Sequence, residues 1–171
     1  MKNLNKKNVD SFSDQWIKYD QSGLDNKEAL KLFKSYFSIF PWKKLPRFSE
    51  GFDIGCGTGR WAKFVAPKVG KLHCIDPSNA IYVAKKKLKK FKNINYYKRS
   101  LDSTGLKNNS QDFGYLLGVL HYVPDAQSAI ISCSKLLKPG APILFYIYYS
   151  LDNRPMWFRL LWKISNLIRL F

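Results

Sequence analysis

The sequence has few cysteines, few acidic residues and no long apolar run. The three cysteines among the 171 residues, Cys56, Cys74 and Cys133, are widely spaced in apolar surroundings. This pattern does not suggest a disulfide framework or a cysteine metal site, so we expect reduced, packed thiols and no bound metal. No stretch of about 18 uncharged apolar residues predicts a membrane-spanning helix. The first ten residues, "MKNLNKKNVD", lack the apolar segment of a secretion signal, so we expect a cytoplasmic protein.

The shortage of acidic residues leaves a strongly basic chain. Twelve acidic residues face 29 lysines and arginines, which gives a net charge of +17. Such a charge is typical of proteins that bind nucleic acid or an anionic membrane, but scattered lysines produce it too. In the lysine-rich run 79–92, the apolar Ala80, Ala84, Leu88 and Phe91 recur at helical spacing, which predicts that the lysines cover a solvated helix face.

Strand and helix patterns alternate along the chain. The stripe of Leu30, Phe33, Phe37 and Phe40 predicts a helix over 26–40 that Pro41 ends. The predicted strands are "GFDI", "KLHCID", "NINYYK", "DFGYLLGVL" and the long, buried "APILFYIYY", and the helices between them are "RWAKFVA", residues 78–91 and "DAQSAIISCSKLL". This order predicts an α/β fold, a Rossmann-like three-layer αβα sandwich with a mostly parallel sheet. We divide the chain into an N-terminal helical cap (1–45), a core (46–150) and a C-terminal helix (151–171).

A glycine-rich turn follows the first predicted strand. In parallel sheets, ligands bind at the carboxyl ends of the strands, where this segment, "GFDIGCGTGRW", lies. Gly55, Gly57 and Gly59 permit unusual backbone angles and a close approach of a ligand to the chain. The dinucleotide fingerprint needs its third glycine at the position that Arg60 occupies, so a bound pyrophosphate fits poorly.

An acid ends the second predicted strand. Asp76 lies about 20 residues beyond the glycines, where a carboxylate can accept hydrogen bonds from ribose hydroxyls. Alternatively, Asp76 caps the following helix. Ser78 can serve as that cap instead, which leaves Asp76 for a ligand.

In these residues the chain resembles the class I S-adenosylmethionine-dependent methyltransferases of small-molecule type. The matching segments are Asp53 to Gly59, "CIDPS", "DFGYLLGVLHYVPD" and "LLKPGAPILFYIYY", in family order over residues 51–149. The resemblance implies S-adenosyl-L-methionine as cofactor. It implies binding by Asp53, Gly55, Cys56, Gly57, Gly59, Asp76, Pro77, Leu101, Asp102, Leu117, Gly118 and Trp16.

The resemblance also implies a role for several of these residues. The glycine turn would cradle the methionine part and Asp53 would order that turn. Asp76 would hold the ribose, and either Asp102 or Ser100 would contact the adenine amine. The remaining contacts would come from Leu117 and Gly118 on the sulfonium side and from Trp16, which would lie over the cofactor or pack in the core.

The chemistry of this cofactor needs few catalytic side chains. The protein must align a nucleophile with the activated methyl group, exclude water and, where needed, remove a proton. His73 lies within a strand and is expected in the core, whereas His121 follows the fourth strand and is our candidate for a base or substrate contact. The segment "LGVLHYVPD" lacks the motif of enzymes that methylate exocyclic base amines, and no cysteine is placed for pyrimidine C5 methylation. We therefore expect a small-molecule or lipid-like acceptor.

The C-terminal segment is basic and amphipathic. Arg159, Lys163, Asn166 and Arg169 follow one stripe, and large apolar residues cover most of the rest. Residues 156–171 could contact a membrane surface or cover an apolar pocket. The family sheet has seven strands and we predict five, so a truncated chain is a third interpretation. A non-catalytic cofactor-binding remnant and a basic RNA-associated protein stay open as alternatives to an enzyme.

Overall fold

The five strands form one parallel sheet. The structure, a computed structural model, describes residue 9, residues 25–148 and residues 153–168. The strands are β1 (Glu50–Ile54), β2 (Lys71–Ile75), β3 (Ile94–Tyr97), β4 (Phe113–Leu117) and β5 (Ile143–Tyr146), in the order β3-β2-β1-β4-β5. Every neighbouring pair is parallel, and Asp53 at the centre of the sheet lies opposite both Cys74 and Tyr115.

Helices cover both faces of this sheet. They are α1 (Asn26–Tyr36), α2 (Ala62–Val65), α3 (Ala80–Lys87), α4 (Ala126–Leu136) and α5 (Met156–Ile168), with one-turn 3₁₀ helices at Trp42–Lys44, Ala66–Lys68, Leu101–Ser103 and Leu120–Tyr122. Helices α1, α2 and α3 bury Phe33, Val65 and Ile81 on one face, while α4 buries Ala129 and Cys133 on the other. The predicted three-layer αβα sandwich is therefore confirmed.

Three elements differ from the sequence prediction. Helix α1 ends at Tyr36, and Leu30 is exposed because Ala29 takes its place in the buried stripe. Helix α3 covers eight residues of the predicted 78–91. Strand β5 has four residues, of which Leu144 alone is buried, because among the described strands β5 pairs only with β4.

The predictions of packed cysteines and of a core position for His73 are confirmed. The three cysteines are free and buried. His73 is buried within β2, where its Nε2 lies 2.7 Å from Oε1 of Glu50. Within the described ranges, no helix is long and apolar enough to cross a membrane, and no cluster of three or more potential ligands could hold a metal ion.

Candidate functional site

A cavity of about 280 Å³ opens at the carboxyl edge of the sheet. Gly55 follows β1, Asp76 follows β2 and Gly118 follows β4, and all three line the cavity, as does Tyr146 at the end of β5. The chain passes from β1 outward to β2 and β3, then returns to β4 on the other side of β1. This change of direction is the place where α/β sheets bind ligands.

The glycine turn leads the backbone past the cavity. Gly55 has a φ of 75°, and a side chain there would overlap Val119. The amides of Gly55 and Cys56 donate to the Ile75 carbonyl at 2.8 and 3.3 Å, that of Gly57 donates to Asp76, and that of Gly59 donates to the Cys56 carbonyl. A pyrophosphate site needs amides that are open to the ligand. Because these four amides bond within the protein, the geometry agrees with the glycine spacing in disfavouring a dinucleotide.

Asp76 is a buried carboxylate on the cavity wall. Its Oδ2 accepts from the Gly57 amide at 2.8 Å, and its Oδ1 accepts from the amide and hydroxyl of Ser78 at 2.9 and 2.6 Å. Burial raises the pKa of Asp76, while the hydrogen bonds from Ser78 and Gly57 oppose that rise. Ser78 Oγ accepts from the Ala80 amide at the start of α3, so Ser78 provides the cap. These bonds fill three of about four acceptor positions of a carboxylate, which leaves one for a ligand hydroxyl.

Asp53 lies behind the cavity wall, within β1. Its pKa is raised to about 8. Burial is the main cause of this rise, the nearby Tyr115 opposes it, and the charge of Asp76 adds to it. Asp53 is therefore mostly protonated at neutral pH. Tyr115 is close enough to influence the carboxyl group, but neither its hydroxyl nor Asp53 Oδ2 has a hydrogen-bond partner of good geometry among the described residues.

The other predicted cofactor residues divide into two groups. Cys56, Gly57, Pro77, Leu101, Leu117 and Gly118 line the cavity. Gly59 and Asp102 lie outside the lining, and the Cα of Gly59 packs against Leu88. Ser100, the alternative to Asp102 after β3, does line the cavity. Trp16 lies outside the described residues.

Gly118 leaves an open space in the wall. Its φ is 76°, and a Cβ built on it would meet no atom within 4 Å. Packing within the protein therefore does not exclude a side chain at this point. A methyl group there would instead enter the space that a ligand would use.

Aromatic residues that the sequence reasoning missed also line the cavity, and we call them the aromatic wall. Tyr36, Trp61, Tyr122, Tyr146 and Tyr148 line the cavity together with Arg60. The rings of Tyr36 and Tyr146 lie 4.5 Å apart, and those of Tyr36 and Trp61 lie 4.8 Å apart. Burial raises the pKa of Tyr36 and Tyr122, so both hydroxyls stay neutral at physiological pH.

Arg60 adds a cation beside this wall. Its guanidinium carbon lies 4.5 Å from the centre of the Trp61 ring, and its buried Nε has no hydrogen-bond partner among the described residues. A buried N–H that no described acceptor satisfies is a place where an acceptor from a ligand can bind. The wall therefore combines aromatic surface with the positive charge of Arg60.

His121 lies directly behind the aromatic wall. Its ring contacts those of Tyr122 and Tyr148 at tilted angles, with ring centroids 4.0 and 4.3 Å away, and it does not itself line the cavity. Both ring nitrogens are buried and find no partner in the described part of the chain. Desolvation lowers the pKa of His121, so the imidazole is neutral and able to accept a proton at neutral pH.

The fold and the site together define an α/β domain with a candidate ligand-binding cavity at its topological switch point. Residues 52–145 match the family model described as a methyltransferase domain. Since this match covers more than half of the chain, the protein belongs to the methyltransferase domain family.

Known relatives and structures agree with this assignment. The chain is 30% identical over 96 residues to a ubiquinone biosynthesis O-methyltransferase of Escherichia fergusonii, covering 54% of this chain and 40% of the relative. It is 28% identical over 125 residues to phosphoethanolamine N-methyltransferase 2 of Caenorhabditis elegans, covering 71% and 27%. The chain therefore spans less than half the length of either relative.

A solved structure shows the same fold. The N-methyltransferase NodS of Bradyrhizobium japonicum, determined in complex with S-adenosyl-L-homocysteine, aligns with a TM-score of 0.65 at 23% identity. The alignment covers 80% of this chain and 71% of NodS.

Proposed function

We propose that this protein is an S-adenosylmethionine-dependent methyltransferase that acts on a small-molecule or lipid-like acceptor in the cytoplasm. One observation carries the proposal: the same cavity is lined by a ribose-type carboxylate, a glycine turn and an aromatic wall. A cofactor held by the carboxylate and the turn would expose its reactive end toward the aromatic wall. The family membership supports the same reaction.

The residues present fit this cofactor. Asp76 has an acceptor position left for a ribose hydroxyl, and Ser100 and Leu101 would border the adenine. Gly118 leaves space in the wall next to the turn. The buried carboxyl group of Asp53 lies behind that turn, and a cationic group bound nearby would lower its raised pKa. Bound there, S-adenosylmethionine would supply a methyl group that is already activated by the sulfonium.

The aromatic wall would hold the acceptor. Tyrosine and tryptophan rings would cover an apolar or planar acceptor molecule. The neutral tyrosine hydroxyls could orient it through hydrogen bonds. Arg60 would bind an acceptor's oxygen or carboxylate beside Trp61. The ubiquinone-biosynthesis and phosphoethanolamine relatives support a small-molecule acceptor.

The protein's own task in this reaction is to align the reactants, exclude water and remove a proton. Alignment of the two reactants in one cavity would supply much of the rate enhancement. His121 is our candidate for the proton acceptor, because its imidazole is neutral and packs against two residues of the acceptor wall. It would act on an acceptor that enters between Tyr122 and Tyr148.

Calorimetric titration with the cofactor, followed by transfer of a labelled methyl group, tests the proposal. The label is offered to small-molecule, lipid and RNA fractions of a cell extract side by side. We expect saturable cofactor binding and label in the small-molecule or lipid fraction. Binding without transfer would identify a non-catalytic remnant, label in RNA would contradict the acceptor class, and absence of binding would reject the whole proposal.

A further inference from the structure

Helix α5 exposes an apolar stripe to the surroundings. Trp157, Leu160, Leu161 and Ile164 recur at the spacing of one helix face, and their exposed fractions are 64, 60, 57 and 47%. Met156 and Trp162 are also exposed, at 83 and 45%. So much apolar surface in one helix marks an interaction site.

A basic stripe accompanies the apolar one. Arg159 and Lys163 lie four residues apart and are exposed on a second side of α5, and Arg154 precedes the helix. At 3.6 residues per turn this side lies roughly 130° around the helix from the apolar stripe. Residues 153–168 contain no acidic residue. This arrangement of tryptophan, leucine and cations is typical of helices that lie in a membrane interface.

We propose that α5 docks the protein peripherally on an anionic membrane. The described helix has 13 residues and is about 20 Å long, which is too short to cross a hydrocarbon core of about 30 Å, so it would lie along the surface. The apolar stripe would enter the acyl boundary, and the two cations would reach the lipid phosphates. This proposal does not depend on methyl transfer.

Charge favours a lipid surface over the other possible occupants. Each chain carries a net charge of +17, so two copies repel one another, whereas an anionic bilayer attracts either. A nucleic acid would satisfy the cations but would leave Leu160 and Leu161 in water. An anionic membrane covers both stripes at once.

Helix α5 begins a few residues after Tyr148, which lines the cavity. Since the first residue of α5 is Met156, the intervening chain can reach at most about 28 Å. If the proposed function holds, membrane docking would therefore bring the cavity close to lipid-phase acceptors. The binding test below needs no methyl transfer, so it can fail or succeed independently of that function.

Vesicle cosedimentation of the full chain tests the docking. One set of vesicles contains equal parts of phosphatidylglycerol and phosphatidylcholine, and the other contains phosphatidylcholine alone. We expect binding to the anionic set and little to the neutral one. Binding should weaken when salt rises from about 0.1 M to about 1 M, because the screening length falls from about 10 Å to about 3 Å.

Two variants and a matched control separate the contributions of the cations and of the apolar stripe to membrane binding. Arg159→Gln with Lys163→Gln should weaken binding about 25-fold, at about fivefold per cation. Leu160→Ser with Leu161→Ser should abolish binding while the circular dichroism spectrum stays unchanged, since both side chains are exposed. Lys85→Gln with Lys86→Gln removes the same charge from the exposed face of α3 and should leave binding within about twofold of the parent.

Several outcomes would overturn the proposal. Equal losses in the α5 and α3 charge variants would show non-specific attraction by the whole surface. Unchanged binding of the Leu160 and Leu161 variant would show that the apolar stripe is not inserted. Absence of vesicle binding, together with dimers by analytical ultracentrifugation that the same variant dissolves, would assign the stripe to a second copy.

Discussion

The amide of Gly57 donates a 2.8 Å hydrogen bond to Oδ2 of Asp76. This bond ties the glycine turn after β1 to the end of β2, and the Ile75 carbonyl strengthens the tie by accepting from Gly55 and Cys56. The two halves of the proposed cofactor site are therefore held together by the protein itself. A ligand that binds there would find the carboxylate and the turn already in position.

Replacing Asp76 with Asn should weaken cofactor binding about 10- to 100-fold. The change removes the charge from the ribose contact, and hydrogen bonds to charged groups contribute about 1.5 to 3 kcal/mol. Calorimetric titration measures the loss. Asp112→Asn is the control: Asp112 accepts from the Glu50 amide and Lys138 at the opposite end of the sheet, so this variant should change stability and keep affinity. Equal affinities of the Asp76 variant and the parent would remove Asp76 from the site.

Gly118→Ala should block the cofactor without unfolding the protein. The added methyl group enters open space in the cavity, and the φ of 76° imposes a strain of about 1 to 2 kcal/mol. Gly140→Ala offers a matched control, because Gly140 has the same φ and also no neighbour within 4 Å, but lies outside this cavity. Urea unfolding should show similar losses of stability in both variants.

Titration then separates the two glycine variants. We expect an affinity loss of about tenfold or more for Gly118→Ala and none for Gly140→Ala, since overpacking costs about 1 to 3 kcal/mol. Parallel affinity losses in both would mean that backbone strain, and not the cavity, determines binding.

The turn and the sheet were predictable because their signals are local. Glycines at 55, 57 and 59 between an apolar strand and a helix specify the turn directly, and the acid at 76 follows from the end of the next strand. Alternation of strands and helices then specifies a parallel sheet. Periodicity misplaced Leu30 because Ala29 is small enough to pack where α1 meets the core, a choice that depends on the partner surface.

The aromatic wall was not predictable from the sequence. Tyr36, Trp61, Tyr122 and Tyr146 come from four separate segments, and nothing in their local spacing marks them. They meet because α1 packs over the end of β5, which brings Tyr36 within 4.5 Å of Tyr146. The sequence analysis also overestimated the burial of β5. Its run of apolar residues does not reveal that, among the described strands, β5 pairs with β4 alone.

Asp53→Asn should change how stability depends on pH. The pKa of Asp53 rises from 3.8 to about 8 on folding, so the folded state binds more protons between these values. Its contribution to stability is fully present below about pH 4 and is lost at about 1.4 kcal/mol per pH unit as pH rises to about 8. The asparagine variant lacks this loss, so its stability relative to the parent should increase over that range. Urea unfolding at several pH values between about 4 and about 8 measures the stability of both proteins. If the stabilities of the variant and the parent change with pH in parallel, Asp53 is not protonated in the folded state.

His121→Asn should lower methyl transfer far more than cofactor affinity. A general base contributes about 10²- to 10⁴-fold, whereas the imidazole does not line the cavity that would hold the cofactor. Because desolvation lowers the pKa of His121 below 6.5, the parent's turnover should rise with pH below that value and be constant at neutral pH. Labelled-methyl transfer at several pH values measures both effects.

The other histidine provides the control for this test. His73 is buried in β2 and contacts Glu50, so His73→Asn should reduce stability and leave the turnover of the folded fraction unchanged. If His121 only supports Tyr122 and Tyr148, His121→Asn will raise KM and keep the acid limb of the pH profile. Loss of that limb together with a fall in kcat identifies the imidazole as the group that takes the proton.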